Sequence, residues 1–362
     1  MLKCLPTVFA VEENYQIAVL CSSNSMVWVK IGEEIYCDEV CGLMRSLNKS
    51  HLITVPMNVL DSAGEYTVFE QEVIDRRSNF PKTNDVTEQT FSFKPVPRNK
   101  NIRAYHISDA HSRIEAPVNA AECFGKIDFL ILNGDIPDNS CTKENIENVF
   151  LLAVEISKGE IPVVFSRGNH DMRGTYAEYF CDIMPSNNGK SYYTVKLGGI
   201  WMLILDCGED KLDSHAEYNN TIRCHAFRKR ETEFIKQIAE SDAYNAPDVT
   251  HKLVISHIPF TRQSANEEFA IEKDTYSMWG SMLKEKIKPD LMICGHCHIN
   301  RIYPVGGEFD SLNQPCTLVM ASEVKGDYFA GCGFEFNNEC IKVSFTDNTG
   351  KIDECSCIPK NK

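Results

Sequence analysis

The length, composition and charge of the chain favour a folded, acidic protein with more than one domain. Its 362 residues exceed what one compact core usually contains, and hydrophobic residues make up 43% of them, which argues against a wholly disordered chain. Its net charge of -14, from 37 basic and 51 acidic residues, disfavours nucleic acid and anionic membranes as partners unless a bound metal reverses the local field.

The N-terminal segment and the cysteines predict a reducing, cytoplasmic location. The segment MLKCLPTVFAVEENY lacks the uninterrupted apolar stretch and cleavage site of a signal peptide, and no run reaches the roughly 18 apolar residues that span a bilayer. The chain has 16 cysteines, and most of them, such as Cys21 and Cys207, lie in or next to apolar runs. We therefore expect buried, reduced thiols, and no contact with a membrane.

Residues 1–97 have the pattern of an all-β region. Short runs rich in β-branched and aromatic residues, among them QIAVLC, SMVWVKI and HLITVPM, alternate with turn residues, and a short helical pattern occurs at residues 39–47. Many short strands at this spacing predict an Ig- or fibronectin-like β-sandwich domain. The segments SNFPKTNDVTEQ and KPVPRNKN, which are rich in Pro, Asn, Lys and Thr, then predict a linker.

Residues 98–362 have the pattern of an α/β domain. Apolar strands such as IRAYHIS, IDFLILN and IPVVFS alternate with helical patterns, which predicts a sheet buried on both faces. The tail returns to strands over residues 332–346, with an Asn-Asn turn, and we expect it to close a second sheet. The helices are predicted at residues 112–124, 143–158, 227–240 and 279–286.

Residues with carboxylate, amide or imidazole side chains follow five of these strands, at the point where each strand ends. Functional groups in α/β domains gather at the carboxyl ends of strands, so we expect these side chains to lie close together. Taken singly, each could be a helix N-cap, a turn residue or a core histidine, but the coincidence at five strand ends favours a shared site. The residues, in chain order, are Asp109, His111, Asn133, Asp135, Asn169, His170, Asp171, His257, His296 and His298.

The segment ICGHCHINR is compatible with two kinds of site. Cys294, Cys297 and His298 form the C-x-x-C-H pattern of covalent haem attachment, whereas His296 and His298 form G-H-x-H. In an extended segment, Cys297 would point away from the face that the two histidines share. Oxygen and imidazole ligands without thiolate suit Mn, Fe or Zn in a catalytic site, and their number predicts two ions.

The ordered series D-x-H, G-D, G-N-H-D, H and G-H-x-H resembles the calcineurin-like metallophosphoesterase superfamily, over residues 100–325. The resemblance implies a two-sheet αββα sandwich and two divalent or trivalent metal ions. It implies that one ion is held by Asp109, His111 and His298, that the other is held by Asn169, His257 and His296, and that Asp135 bridges them.

The region before this series is similar to the N-terminal β region of purple acid phosphatases, and the segments LDCGEDKLDSHAEYN and FRKRETEFI resemble a loop and a helix of bacterial members. In purple acid phosphatases, the tyrosine of a D-x-x-Y motif ligates iron, but Asp138 occupies that position here. The purple enzymes also lack the histidine that D-x-H supplies as His111. These departures predict a site without an iron–tyrosinate chromophore.

The resemblance implies hydrolysis of a small-molecule phosphomonoester or phosphodiester by a hydroxide that bridges two ions about 3.5–4 Å apart. We expect His170 to protonate the leaving alkoxide and Asp171 to fix its tautomer; the alternative is a structural role for His170. Several further residues either shape the substrate pocket or only solvate a loop. These are Arg113, Arg173 and the 207–226 loop with His215, Tyr218 and His225.

A non-catalytic metal-binding scaffold or docking protein with the same fold is the alternative function. We would expect such a protein to lack a ligand or His170, and none is missing here. Phosphomonoesterases and cyclic-nucleotide diesterases share this ligand set, because the metals select the phosphoryl group and the pocket selects the rest. The sequence therefore leaves the substrate, the metals and the oligomeric state open.

Overall fold

The structure, a computed structural model, describes residues 1–77, 79–98 and 101–360. Ser78, Asn99 and Lys100, which belong to the predicted linker segments, lie outside the described residues. The N-terminal elements are β1 (Thr7–Val11), β2 (Asn14–Ile31), β3 (Glu34–Cys37), β4 (Glu39–Val40), β5 (Leu43–Met44), β6 (Asn48–Pro56), α1 (Met57–Ala63), β7 (Glu65–Asp75), β8 (Lys82–Thr83) and β9 (Thr87–Ser92).

The remaining elements alternate between strands and helices until the C-terminal tail. The first group is β10 (Ile102–Ile107), α2 (Glu115–Phe124), β11 (Phe129–Asn133), α3 (Lys143–Ser157), β12 (Val163–Ser166) and α4 (Phe180–Ile183). The second is β13 (Tyr193–Leu197), β14 (Ile200–Leu205), α5 (Cys224–Ser241), β15 (His251–Ser256), α6 (Lys273–Met282), β16 (Leu291–Cys294), β17 (Arg301–Tyr303) and β18 (Leu318–Met320). The tail is β19 (Glu323–Lys325), β20 (Tyr328–Phe336), β21 (Cys340–Asp347) and β22 (Ile352–Pro359).

Two sheets face each other across a shared apolar core. The first has the order β22-β21-β20-β10-β11-β12-β1-β2-β7-β8, and the second has the order β13-β14-β15-β16-β18-β17. Strands β10 to β12 are parallel to one another, as are β14, β15, β16 and β18. The core between the sheets contains Ile131 and Val164 from the first sheet and Ile293 and Val319 from the second.

Helices cover the outer face of each sheet. Val149 and Phe150 of α3 pack with Leu132 of the first sheet, and Trp279 of α6 packs with Val254 of the second. These strands are apolar on both sides because each sheet is buried on both faces. The predicted mixed α/β fold is confirmed. Among the described residues, no helix combines the length and apolar character that crossing a membrane requires.

The N-terminal strands belong to the first sheet, whereas the sequence predicted a separate β-sandwich domain for residues 1–97. Strand β1 lies parallel to β12, with Phe9 opposite Val163, and antiparallel to β2. All five residues of β1 are buried. Such a strand is covered on both faces and hydrogen-bonded on both edges, so it joins residues 1–97 to the α/β region instead of marking a boundary.

Two shorter segments also differ from the prediction. Residues 39–47 form the strand pair β4–β5 and not a helix, because Cys41 and Gly42 adopt left-handed backbone angles that close a turn. The helix of this region is α1, at Met57–Ala63. The C-terminal strands join the first sheet, where β20 pairs with β10, and do not close the second.

The cysteines follow the predicted burial only in part. Cys37, Cys41 and Cys141 are exposed, and a disulfide joins Cys340 to Cys357 across β21 and β22. Among the described residues, the buried cysteines outside this disulfide are Cys21, Cys207, Cys224, Cys294, Cys316 and Cys332.

Phe9→Ala is expected to lower the free energy of unfolding by about 3–5 kcal/mol, because it removes a buried ring from the first sheet. The Phe9 ring centroid lies 6.0 Å from that of Phe150 and 6.4 Å from that of Phe165. Denaturant unfolding measures the loss, and hydrogen exchange should accelerate in β1 and its neighbour β12 together. As a control, Phe80→Ala removes a ring that is 84% exposed and should change little. Faster exchange in β1 alone would indicate that residues 1–97 unfold independently.

Candidate metal centre

The loops after five strands meet at one end of the two-sheet sandwich. Strands β10, β11 and β12 approach from the first sheet, and β15 and β16 approach from the second. The structure brings together all seven residues that the sequence predicted as metal ligands. These residues form two adjacent groups. They are Asp109, His111, Asp135, Asn169, His257, His296 and His298.

The first group contains Asp109, His111 and His298. His298 Nε2 lies 3.2 Å from Asp109 Oδ1 and 3.2 Å from His111 Nε2. One ligand atom from each residue lies within 4.8 Å of the others, which is close enough for one ion to contact all three. This is the set that the resemblance implied for the first ion.

The second group contains Asp135, His257 and His296, with Asn169 beside it. His257 Nε2 lies 3.1 Å from Asp135 Oδ2, and His296 Nδ1 lies 3.1 Å from Asn169 Oδ1. His257 Nε2 is also 3.9 Å from Asp109 Oδ1, so the two groups are neighbours. Asp135 and Asp109 therefore present carboxylate oxygens to a common space.

The electrostatics of this space suit a cation. Burial disfavours the charged imidazolium of His257, but the Asp135 and Asp109 carboxylates outweigh burial and raise the pKa of His257 to about 10. Burial likewise opposes the charged form of Asp135, but His257 and His170 hold the pKa of that carboxyl well below its usual range. The carboxylates thus attract positive charge, which metal ions supply.

One buried atom points to a missing ligand contact. His257 Nε2 is buried, lies 3.1 Å from Asp135 Oδ2 and makes no well-aligned hydrogen bond to the described residues. Its other ring nitrogen, Nδ1, lies 2.7 Å from the carbonyl oxygen of Asn133 and donates to it, which points Nε2 toward the carboxylates, where a bound cation would take its lone pair. The donors are oxygen and imidazole nitrogen, so they fit Mn, Fe or Zn.

Several of these residues have left-handed backbone angles. The φ values are 54° at Asp109, 45° at His111, 53° at Asp135, 69° at His296 and 53° at His298. Non-glycine residues rarely adopt this conformation, which costs free energy and is concentrated at functional sites. Hydrogen bonds within the site offset part of that cost: the His296 N–H donates to Asp109 Oδ2 at 2.9 Å, and the His170 N–H donates to Asp135 Oδ1 at 2.8 Å.

The same backbone angles make the G-H-x-H segment an irregular loop, so the predicted extended conformation of this segment is wrong. Cys297 nevertheless packs with the apolar core outside the second sheet. Burial, together with the Asp109 carboxylate, raises the pKa of Cys297 to about 11, so it is a neutral thiol. Cys294 is fully buried in β16. Neither cysteine is placed to hold haem.

Two motif glycines are required by close packing. A Cβ atom at Gly168 would overlap the carboxylate of Asp135, and one at Gly295 would overlap the side chain of Ser108 and crowd that of Asp109. Both carboxylates can therefore reach the centre only because these positions carry no side chain.

His170 lies at the edge of the centre. Its Nδ1 is 2.8 Å from the carbonyl oxygen of Asp138, its Nε2 is 3.1 Å from the Arg173 guanidinium, and Nε2 is 4.0 Å from Asp135 Oδ2. Its ring meets that of His111 edge to face, with centroids 4.7 Å apart. His170, His111 and Asp138 also form a third group whose ligand atoms lie within 4.8 Å.

Asp171 does not orient His170, contrary to the sequence-based expectation. Its Oδ2 accepts hydrogen bonds from the backbone N–H groups of Gly168, at 2.6 Å, and Asp135, at 3.2 Å. Burial, together with the nearby Asp135 charge, raises the pKa of Asp171 to about 8. Asp171 therefore holds the two loops together, and the Asp138 carbonyl group sets the tautomer of His170.

The loop at residues 207–226 lies against the centre. Arg173 donates two hydrogen bonds to Glu209, at 2.7 and 2.8 Å, and Tyr218 donates to Glu209 at 3.0 Å. This supports a pocket-forming role for Arg173 and Tyr218.

The other residues of the predicted pocket have surface roles. His215 pairs with Glu268 at 3.0 Å, and His225 pairs with Glu272 at 2.7 Å. Arg113 donates to backbone carbonyl groups, including that of Ala110 at 3.2 Å.

Asp210 is a site residue that the sequence analysis missed. Its Oδ2 lies 3.7 Å from His296 Nε2, on the opposite side of the imidazole from Asn169. A signal was present, because the run DCGED follows β14 directly and so obeys the same rule of polar residues at strand ends. The Asp210 carboxylate thus lies near Nε2 of His296, while Nδ1 faces Asn169 in the metal centre.

Comparison with known proteins gives relatives of two activities. The chain is 30% identical over 128 residues to a probable cyclic nucleotide phosphodiesterase of Fibrobacter succinogenes, covering 32% of this chain and 48% of that protein. It is 21% identical over 208 residues to the human serine/threonine-protein phosphatase CPPED1, and this match covers 55% of this chain and 61% of that protein. The chain thus spans about half to three fifths of the length of these curated relatives.

Two solved structures share the fold. Purple acid phosphatase PPD1 from yellow lupin matches with a TM-score of 0.62 and 13% identity, covering 98% of this chain and 74% of that chain. PhoD matches with a TM-score of 0.52 and 10% identity, covering 97% and 91%. The profile of the calcineurin-like phosphoesterase family matches residues 102–300, which is more than half of the chain. This chain therefore belongs to the calcineurin-like phosphoesterase family.

Proposed function

We propose that the protein hydrolyses phosphoesters with the help of two metal ions. The observation that carries this proposal is the meeting of two ligand groups at Asp135 and Asp109, where His257 Nε2 lies 3.1 Å from one carboxylate and 3.9 Å from the other. Family membership and relatives that are a phosphodiesterase and a phosphatase support it.

The ligand assignment follows the two groups. One ion would be held by Asp109, His111 and His298, and the other by Asn169, His257 and His296, with Asp135 between them. When bound, the ions would polarise the phosphoryl group and make a water molecule nucleophilic at neutral pH.

The protein's own residues then deliver a proton and hold the site in shape. His170 would act as the acid through Nε2, since its Nδ1–H donates to the Asp138 carbonyl group; the leaving oxygen would then replace the Arg173 guanidinium as the partner of Nε2. The Asp135 carboxylate lies 4.0 Å from Nε2, so this nitrogen borders the metal centre. Asp171 holds the loop of Asp135 against its own loop, because its carboxylate accepts hydrogen bonds from the backbone N–H groups of Asp135 and Gly168.

The proposed substrates are small-molecule phosphomonoesters or phosphodiesters. The net charge of -14 would repel nucleic acid from most of the surface, while the metal centre would attract a phosphoryl group locally. The cytoplasmic location inferred from the sequence stays a prediction.

Metal analysis paired with a panel of esters tests the proposal. Protein purified without an affinity tag is analysed for Mn, Fe and Zn, and is then assayed with monoesters and diesters in the presence of Mn²⁺. We expect two metal ions per chain and hydrolysis that is lost with a chelator and restored by metal. Two bound ions without hydrolysis of any ester would favour the scaffold function instead.

A further inference from the structure

A cavity of about 320 Å³ opens directly beside the candidate metal centre. Its lining includes His296 and Asp210 at the end nearest the metal ligands, and most of the remaining wall is apolar. The aromatic side chains in that wall are Phe260, Phe269, Tyr276 and Phe309. We name this space the aromatic cavity.

Three of the four rings form a rigid wall. Phe260 and Phe309 are 1% exposed and Tyr276 is 4% exposed. Phe260 and Tyr276 each pack against Trp279 with centroids 5.5 Å apart, and Phe309 packs against Tyr303 at 4.1 Å. Because these rings are packed from behind, a ligand in the cavity would not have to order them, which favours binding.

The fourth ring lies at the mouth. Phe269 is 37% exposed and has the Lys211 ammonium group 5.5 Å from its centroid. The neighbouring Glu268 pairs with Lys211 at 3.5 Å and with His215 at 3.0 Å. These contacts tie the segment of Phe269 to the 207–226 loop, so that both loops border the cavity.

The mouth also carries a cation suited to a planar ligand. The guanidinium group of Arg262, which lines the cavity, stacks 4.7 Å above the ring of Phe309. Guanidinium planes stack on aromatic faces, and an additional ring could stack in the same way.

The cavity is connected to the reacting position through His296. One ring nitrogen, Nδ1, faces Asn169 in the metal centre, and the other, Nε2, faces Asp210 in the cavity lining. A phosphoryl group bound at the metal centre would therefore have its organic group within reach of the aromatic wall.

We propose that the aromatic cavity binds a planar, apolar group of the phosphoester, so that the protein prefers esters bearing one or two fused rings to alkyl esters. This inference rests on the proposed function, since it assumes that the phosphoryl group binds at the metal centre. The volume is at the lower end for small-molecule sites, which suits a ring with a short linker better than a peptide. The second neighbouring cavity, whose lining includes Arg167, Arg173 and Glu209, contains the ring of Tyr218 but no wall of several aromatic rings.

Three phosphonates that share one headgroup test the proposal by calorimetry on the Mn²⁺-loaded protein. They are methylphosphonate, benzylphosphonate and 1-naphthylmethylphosphonate, and none can be hydrolysed as an ester. We expect the naphthyl compound to bind at least about tenfold more tightly than the methyl compound, with the benzyl compound between them. The phosphonate group contributes the same binding free energy in all three, and burial of the ring adds to it.

Two variants locate the effect. Phe269→Ala is expected to reduce the ratio of naphthyl to methyl affinity by about three- to tenfold, as expected for loss of one aromatic contact. Phe80→Ala is the matched control, since it removes an exposed ring that does not line the cavity, and it should leave the ratio unchanged.

The possible results distinguish a failure of ring binding in the aromatic cavity from a failure of the proposed hydrolase function. Equal affinity for the three phosphonates, or a ratio of naphthyl to methyl affinity that Phe269→Ala leaves unchanged, would contradict binding in the aromatic cavity and leave the hydrolase proposal standing. If no phosphonate binds the metal-loaded protein and no ester of the panel is hydrolysed, the proposed function fails as well.

Discussion

Asp135→Asn is expected to lower kcat by about 10³-fold or more and to leave one metal ion per chain instead of two. Asp135 belongs to the second ligand group, where its carboxylate is 3.1 Å from His257 Nε2, and in the proposal it bridges the two ions. An amide of the same shape is uncharged and offers one oxygen, so it cannot bridge two cations. Metal content by mass spectrometry and steady-state kinetics on the best ester of the panel measure the two effects.

A matched substitution three residues along the same loop is the control. Asp138→Asn also replaces a carboxylate by an amide. The Asp138 carboxylate, however, is 60% exposed, and it lies beside a proposed ligand, 3.5 Å from His111 Nδ1. We expect a loss of about tenfold and two retained ions, as for residues that orient a ligand. Two ions and unimpaired turnover in Asp135→Asn would show that this carboxylate does not bridge.

His170→Ala is expected to lower turnover by about 10²–10⁴-fold on esters with alkyl leaving groups and far less on nitrophenyl esters. An alkoxide needs a proton as it leaves, whereas nitrophenolate is stable without one. The comparison of the two esters therefore isolates proton donation from changes in binding. Metal analysis of the variant should still find two ions, since His170 is outside the two ligand groups of the proposal.

His225→Ala is the matched histidine control. His225 is 55% exposed and pairs with Glu272 on the outside of the loop, and we expect both esters to be hydrolysed at the original rate. If His170→Ala slows the alkyl and nitrophenyl esters by the same factor, the residue is structural and the acid has to be sought elsewhere, with Arg173 and its partner Glu209 the nearest groups.

The convergence of the candidate metal ligands could be predicted because its signals are local, and metal binding by these residues stays a prediction. Asp109, Asp135 and His257 each follow an apolar strand within two residues, and the carboxyl ends of parallel strands place such residues at one end of a sheet. The same rule would have found Asp210 after β14 had it been applied to that strand. The role of Asp171 could not be predicted, since its partners are backbone N–H groups of Gly168 and Asp135 and no side chain identifies them.

The N-terminal region shows the opposite case. Its strands were predicted from β-branched and aromatic runs, but nothing near Phe9 indicates that it pairs with Val163 in a parallel sheet. Such pairing depends on residues that are distant in the sequence, and the hydrophobic pattern of a buried strand is the same whichever neighbour it has.

The amino-acid sequence by itself determined most of the strands and helices, though not β4, β5 and α1, and which side chains are candidates for binding metal ions, because periodicity and residue chemistry are properties of short segments. Only the tertiary structure decided that residues 1–97 share a sheet with the α/β region, that Asp210 faces His296, and that four aromatic rings line one cavity. Those features arise where segments that are distant in the sequence pack against each other. Burial stabilises contact with any apolar partner of suitable shape, so the sequence of one segment does not identify its partner.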